Sequence, residues 1–216
     1  MAMVDGYAGP DMAGSNDVTG FLPSTRGLRF ANRFPPGPTV RFGPIDPRWI
    51  GIGDASAGLC GGMAWYVRER FEAGRPIPGD AVPPANGSPL FRTLVNRQVR
   101  SLDWLWTPLR YWWLGAGPLD RAARRSIERE APTIRARIDA GRLVRVGLVR
   151  HHGLSPWGMT QSHQVVAYGY RVEGDTIAFS IYDPNWPARD DVTVTVGPSG
   201  LAQSTGEILL GLFRIG

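Results

Sequence analysis

The order of patterns along this 216-residue chain predicts an α+β fold, with helices first and an antiparallel β-sheet second. Three observations carry that prediction. Between Gly58 and Phe71 the apolar residues Met63, Val67 and Phe71 recur at a spacing of four, which puts them on one helix face, while Arg68, Glu69 and Arg70 fall elsewhere. From Arg142 onward the apolar residues Leu143, Val144, Val146, Leu148 and Val149 follow the shorter period of a strand. Glu173-Gly174-Asp175 then separates two β-forming runs, as a hairpin turn does.

Composition sets the frame for the elements. Hydrophobic residues make up 43% of the chain, enough for one sizeable core, so a single domain over residues 21–216 is expected. Residues 1–20 are rich in Gly, Asp, Ser and Ala without periodicity and are expected to be a disordered tail. They lack the basic start and apolar core of a signal peptide, and no long apolar run follows. The reading is a cytoplasmic protein, or one exported by a specialised route, without stable membrane insertion. The net charge of +5 comes almost entirely from arginine. No basic block interleaved with aromatics accompanies it, so a solvated basic surface is expected and no nucleic-acid partner.

Residues 21–47 contain the breakers Pro35, Pro36, Gly37 and Pro38 and read as short extended segments over a core. Residues 48–54 lead into the helix that starts near Cys60 and stops at Gly74. A proline-rich crossing over 75–89 precedes a helix over 90–102. Residues 104–113 hold four of the eight tryptophans. Such a run could wall a substrate groove, touch a membrane surface or pack as part of a helix hairpin. Two short helices, 119–129 and 133–140, are expected on either side of Pro132. Strands are expected at 142–149, 162–172, 176–183, 192–196 and 207–215, with a polar loop over 150–161.

Cys60 is the only cysteine and follows a glycine-rich turn at a helix start. Unpaired backbone N–H groups and the positive end of the helix dipole favour a thiolate there. Glycines 58, 61 and 62 would let a substrate backbone approach the sulfur. A lone cysteine is also often a small buried hydrophobe, and it cannot form an internal disulfide. The strand pattern supplies possible partners. With a three-residue turn around Gly174, Ala167 faces Ile181, Val165 faces Asp183 and His163 faces Asn185 on one side of the sheet. His163 and Asp183 are then diagonal neighbours, roughly 7 to 8 Å apart at the backbone. Nucleophile, base and orienting group follow: Cys60 attacks, His163 moves the proton and Asp183 holds the imidazole, with Asn185 a rival for the third role. His151 and His152, in the loop before, are competing histidines. One Cys and three His at no recognised spacing make no zinc site, and no cofactor is implied.

The blocks Gly58-Leu59-Cys60-Gly61-Gly62-Met63, Ser162-His163-Gln164-Val165-Val166-Ala167-Tyr168-Gly169-Tyr170 and Tyr182-Asp183-Pro184-Asn185 resemble the papain-like cysteine peptidase superfamily. The bacterial branch similar to bacteriocin-leader peptidases is the nearest in pattern. The resemblance covers residues 21–216 and implies a Cys-bearing helix packed on a C-terminal antiparallel sheet, with the order Cys, His, Asp or Asn. Papain-like enzymes place an oxyanion-holding glutamine about six residues before the cysteine, where this chain has Asp54, which cannot donate a hydrogen bond when ionised. The Cys60 N–H, Gln161 and Gln164 are candidate substitutes.

The leading expectation is a thiol enzyme that acts on a peptide or protein substrate, as a peptidase, amidase or acyl transferase, through a Cys60 thioester. The alternatives are a catalytically silent papain-like domain that binds a peptide or partner protein, and a toxin or effector domain that modifies a target protein.

Overall fold

The computed structural model describes residues 14–36, 55–103, 106–153 and 162–216. Its helices are α1 (Pro23–Arg26), α2 (Cys60–Glu72), α3 (Pro89–Ser101), α4 (Trp106–Ala116), α5 (Leu119–Arg125) and α6 (Ala131–Asp139). The strands are β1 (Gly14–Asp17), β2 (Val144–Val149), β3 (His163–Glu173), β4 (Thr176–Tyr182), β5 (Thr193–Gly197), β6 (Gly200–Gln203), β7 (Ile208–Leu209) and β8 (Gly211–Arg214). All pair antiparallel in the order β7-β6-β5-β4-β3-β2-β8, and β1 also pairs with β3. The chain is therefore α+β, with most helices ahead of the sheet.

Helices cover both faces of the sheet. On β2, Arg145 and Val146 point opposite ways. The Arg145 guanidinium stacks on Trp65 of α2 at 3.9 Å, whereas Val146 lies with Ile134 of α6. One hydrophobic cluster runs from Val18 through Met63 and Val67 to Val165, Ile181 and Leu212. Each large side chain in it is worth roughly 1.5–3 kcal/mol of burial.

Several elements differ from the sequence pattern. Of the tail expected up to Gly20, residues 1–13 lie outside the described residues, and the rest is structured: β1 pairs with residues 169–172 of β3, and Val18 is buried, as is Phe21 just beyond. The cause is the length of β3. On that side β2 covers only His163–Ala167, so the rest of the edge would leave N–H and C=O groups unpaired, and the polar segment Gly14–Asp17 satisfies them through its backbone. Within the stretch read as extended, α1 forms one turn started by Pro23, which favours a first helical position, and Leu28, Phe30 and Phe34 are buried beyond it. The helices around Pro132 are joined. A π-helical turn, Ser126–Glu130, links α5 to α6, with Ala131 N–H donating to the Ser126 carbonyl. That wider turn carries the chain past Pro132, which has no N–H to continue the regular ladder.

The expected last strand is split. Ile208–Leu209 pairs with β6 at one edge of the sheet and Gly211–Arg214 pairs with β2 at the other. Leu210 alone separates them, and its N–H donates to the Val149 carbonyl at 2.9 Å. The two ends of the sheet therefore meet at Leu210, and the sheet curls toward a half-barrel.

The β3–β4 hairpin matters most for the site. Its turn has two residues, Gly174 and Asp175, because Glu173 faces Thr176, and Gly174 takes the positive φ of +57° that such a tight turn favours. A β-bulge between Ala167 and Gly169 then shifts the register by one. Beyond it Ala167 faces Ile181 and Val166 faces Tyr182, the pairing expected from a three-residue turn. Two departures from the expected hairpin cancel at the end where the chemistry lies.

Candidate active site

The first turn of α2 is built from contacts that only glycine permits. A Cβ on Gly61 would lie 2.4 Å from Ser101 Oγ and 2.8 Å from the Gln164 amide, and one on Gly62 would lie 2.1 Å from the Leu94 carbonyl oxygen of α3. Leu59, at the helix N-cap position, offers no capping side chain. The orphan donors are met from outside instead: Leu59 N–H donates to Asn32 Oδ1 at 2.6 Å, and Gly62 N–H to Gln98 Oε1 at 2.8 Å. Both acceptors hold the turn that presents Cys60, which is partly exposed.

Opposite this turn lies the end of β3. The β3–β4 ladder stops at Val166 and Tyr182, and the Gln164 N–H donates to the Cys60 sulfur. The Cys60 thiol also shares a hydrogen bond with the His163 side chain. His163 Nε2 meets Asp183 Oδ1 at 2.6 Å, so the other ring nitrogen, Nδ1, is left for the thiol. Asp183 is buried and satisfied on both oxygens: Oδ1 also accepts Asn185 N–H at 2.8 Å, and Oδ2 accepts Gln203 Nε2 at 2.7 Å. Cys60, His163 and Asp183 thus form one continuous line of contacts.

The electrostatics follow from these partners. Burial pushes the Cys60 thiol up, but the hydrogen bond and positive charge of His163 and the Gln164 and Gly61 N–H groups outweigh it, and its pKa is lowered. Burial would lower His163, yet the Asp183 charge and hydrogen bond, with Cys60 behind them, raise it from 6.5 to about 9. Burial raises Asp183, and the His163 charge together with three hydrogen bonds brings it below the ordinary carboxylate value. The favoured state is thiolate, imidazolium and carboxylate in a row.

The other sequence candidates fall differently. Asp54 and Gln161 lie outside the described residues. The Gln164 side chain is buried over Gly61, with its Nε2 donating to Ser101 Oγ at 3.3 Å, so its contribution to the thiol is its backbone N–H. Asn185 does not take the third position. Its Oδ1 accepts Asn32 Nδ2 at 3.2 Å and its N–H steadies Asp183. His151 and His152 lie beside the end of α4, where a Cβ on Gly115 would sit 2.6 Å from the His151 carbonyl and His152 Nε2 meets the Gly117 carbonyl at 3.2 Å. Among the described residues no cluster of three or more His, Cys, Asp or Glu could hold a metal ion, and no helix is long and apolar enough to cross a membrane.

Trp104 is outside the described residues, and the rest of the aromatic run forms α4. The inner face of α4 buries Tyr111 and Leu114, while Trp106, Leu109, Trp112 and Trp113 are exposed. Arg121 stacks on Trp113 at 4.9 Å. Tyr111 OH donates to the His163 carbonyl at 2.8 Å, and burial and the nearby thiol charge hold its phenol protonated.

Asn32, Gln98 and Gln203 are lone polar residues outside any chemical motif, and Tyr111 sits in the aromatic run 104–113, which does not mark it as a partner of His163; each contact joins residues at least 20 apart in the chain. For Gln98 a signal existed: a helix start without a Ser, Thr, Asp or Asn cap needs an acceptor from elsewhere. Compared with known proteins, the chain matches no family model, no curated protein and no solved structure.

Proposed function

We propose that this chain is a thiol enzyme of papain-like design, acting on acyl or amide groups of a peptide or protein as a peptidase, amidase or acyl transferase. The observation that carries the reading is the unbroken line from the Cys60 sulfur through the His163 ring to the Asp183 carboxylate. The Cys-bearing helix and the sheet that supplies His163 and Asp183 support the same reading. The Cys60 thiolate attacks the carbonyl carbon, and its electron pair becomes the new C–S bond while the carbonyl oxygen takes the negative charge. The positive end of α2 lies beside that charge. Collapse of this intermediate breaks the bond to the leaving group, which takes the proton of the His163 imidazolium and leaves a thioester. His163 then removes a proton from water, or from an acceptor amine or hydroxyl, as that group attacks the thioester and frees the thiolate. Asp183 stays ionised and holds the ring by Nε2 throughout.

The test is the pH dependence of Cys60 alkylation, read by intact mass in the wild type and in His163→Ala. The expected result is fast labelling that persists well below the ordinary thiol pKa of about 8.5, and a drop of at least tenfold near pH 6 without His163. An ordinary thiol profile in both proteins removes the reading.

The exposed outer face of α4 favours a second reading, a catalytically silent domain that binds a peptide or partner protein through Trp106, Leu109 and Trp113. In that case a partner binds equally well to a folded Cys60→Ser protein, and the thiol labels at an ordinary rate.

A further inference from the structure

We infer that Asn32 is a positioning residue, tying the turn that carries Cys60 to the turn that carries Asp183 so that thiol and imidazole meet; the inference rests on the thiol-enzyme reading above. Asn32 lies 27 residues before Leu59 and 153 before Asn185, yet it touches the neighbourhood of both. Its Oδ1 accepts the Leu59 N–H at 2.6 Å, one residue before the nucleophile. Its Nδ2 donates to Asn185 Oδ1 at 3.2 Å, and its backbone N–H donates to the Pro184 carbonyl at 2.9 Å. Asn185 N–H in turn reaches Asp183 Oδ1, the oxygen that also receives His163 Nε2.

These contacts close a ring: Cys60, Leu59, Asn32, Asn185, Asp183, His163 and back to the sulfur. The orientation of the Asn32 amide is fixed by its partners, since the Leu59 N–H requires an acceptor and the Asn185 oxygen requires a donor. Gly58 shows that the cysteine turn is shaped around this amide. Its φ of +88° is a glycine conformation, and a Cβ there would lie 2.5 Å from Asn32 Nδ2. Without Asn32 the helix start and the end of the hairpin are joined, among the described residues, only by packing, by the Gln164 N–H on the sulfur and by the thiol–imidazole contact itself. That contact weakens steeply as distance and angle drift, and the thiolate fraction at a given pH falls with it.

The experiment uses the full chain and iodoacetamide, and measures the pH midpoint of Cys60 labelling together with the melting temperature. Asn32→Ala is expected to raise the midpoint by about one pH unit, which is roughly tenfold slower labelling below it, with an unchanged plateau at high pH where every thiol is ionised. Asn185→Ala keeps the Leu59 contact and is expected to move the midpoint in the same direction by less. A lower melting temperature with an unmoved midpoint makes Asn32 a packing residue and overturns the inference. Should Asn32→Ala fail to fold, an unmoved midpoint in Asn185→Ala overturns it. His163→Ala separates the two levels. If it changes the wild-type profile and Asn32→Ala does not, only the inference falls; if the wild-type thiol is ordinary, the enzyme reading falls and takes the inference with it.

Discussion

The two ends of the β3–β4 hairpin run in different registers. At the turn Glu173 faces Thr176, so partner numbers add to 349, and at the site Val166 faces Tyr182, so they add to 348. One residue, Tyr168 in the bulge, makes the difference. Carried through unchanged, the turn's register would set Asp183 against Val166, on the face opposite His163, because side chains alternate. The turn closes the hairpin, but the bulge decides whether base and acid can meet.

Flipping the register at the site gives the largest effect. Deletion of Ser180 from β4 leaves the bulge in place but moves Tyr182 opposite Ala167 and Asp183 opposite Val166; it should separate His163 from Asp183 and return Cys60 labelling to an ordinary pH profile. Deletion of Tyr168 instead removes the extra residue and keeps Ala167 opposite Ile181, so the low-pH labelling should survive it; loss of that labelling in a folded protein would break the comparison. Tyr168→Ala keeps the extra residue but loses a ring packed 5.2 Å from Phe21 and a hydrogen bond to the Asp190 carbonyl. It should cost about 3–5 kcal/mol in denaturant unfolding and leave the labelling midpoint in place.

The hairpin also shows how much the sequence can disclose. The alternation of Val165, Ala167 and Ile181 made the shared face of His163 and Asp183 legible, but through a turn one residue too long and without the bulge. Hydrophobic period reports which residues face inward and is nearly blind to a single inserted residue, because Tyr168 is itself apolar enough to be buried against Phe21. Helix α2 and its cysteine were legible for the opposite reason, since spacing, glycines and thiol all sit within one local stretch. The supports of the site were not. Asn32, Gln203 and Tyr111 act across distant parts of the chain, and β1 is a strand only because β3 has an edge to cover.

The turn end should tolerate change far better. Gly174 has φ +57°, and nothing lies within 4 Å of a Cβ built there, so Gly174→Ala meets only backbone strain. A loss of about 1–2 kcal/mol is expected in denaturant unfolding, with no movement of the labelling midpoint. A shifted midpoint would mean that the turn, and not the bulge, controls the site.

The smallest expected effect is a slope that the wild type should lack. His163 is raised from 6.5 to about 9, so the stability it supplies is complete below 6.5 and is lost as pH rises through 9. Cys60 is lowered from 9.0, so its contribution runs the other way: it is complete above 9.0 and is lost as pH falls through the folded value. Above both 6.5 and the folded Cys60 value, and below 9, the native pair holds one proton on His163 and the unfolded chain holds one on Cys60. The proton counts match there and the slopes cancel. Unfolding free energy should therefore be nearly flat in this pair's contribution over that window. In Cys60→Ala the cysteine's share is gone, and Asp183 still holds His163 protonated in the folded state. Stability of that variant should fall as pH climbs from 6.5, and the difference between the two curves, measured by urea unfolding at several pH values, isolates the histidine. Parallel curves would show that thiol and imidazole do not exchange a proton on folding, which would remove the ion pair from the site end of the hairpin while leaving its register intact.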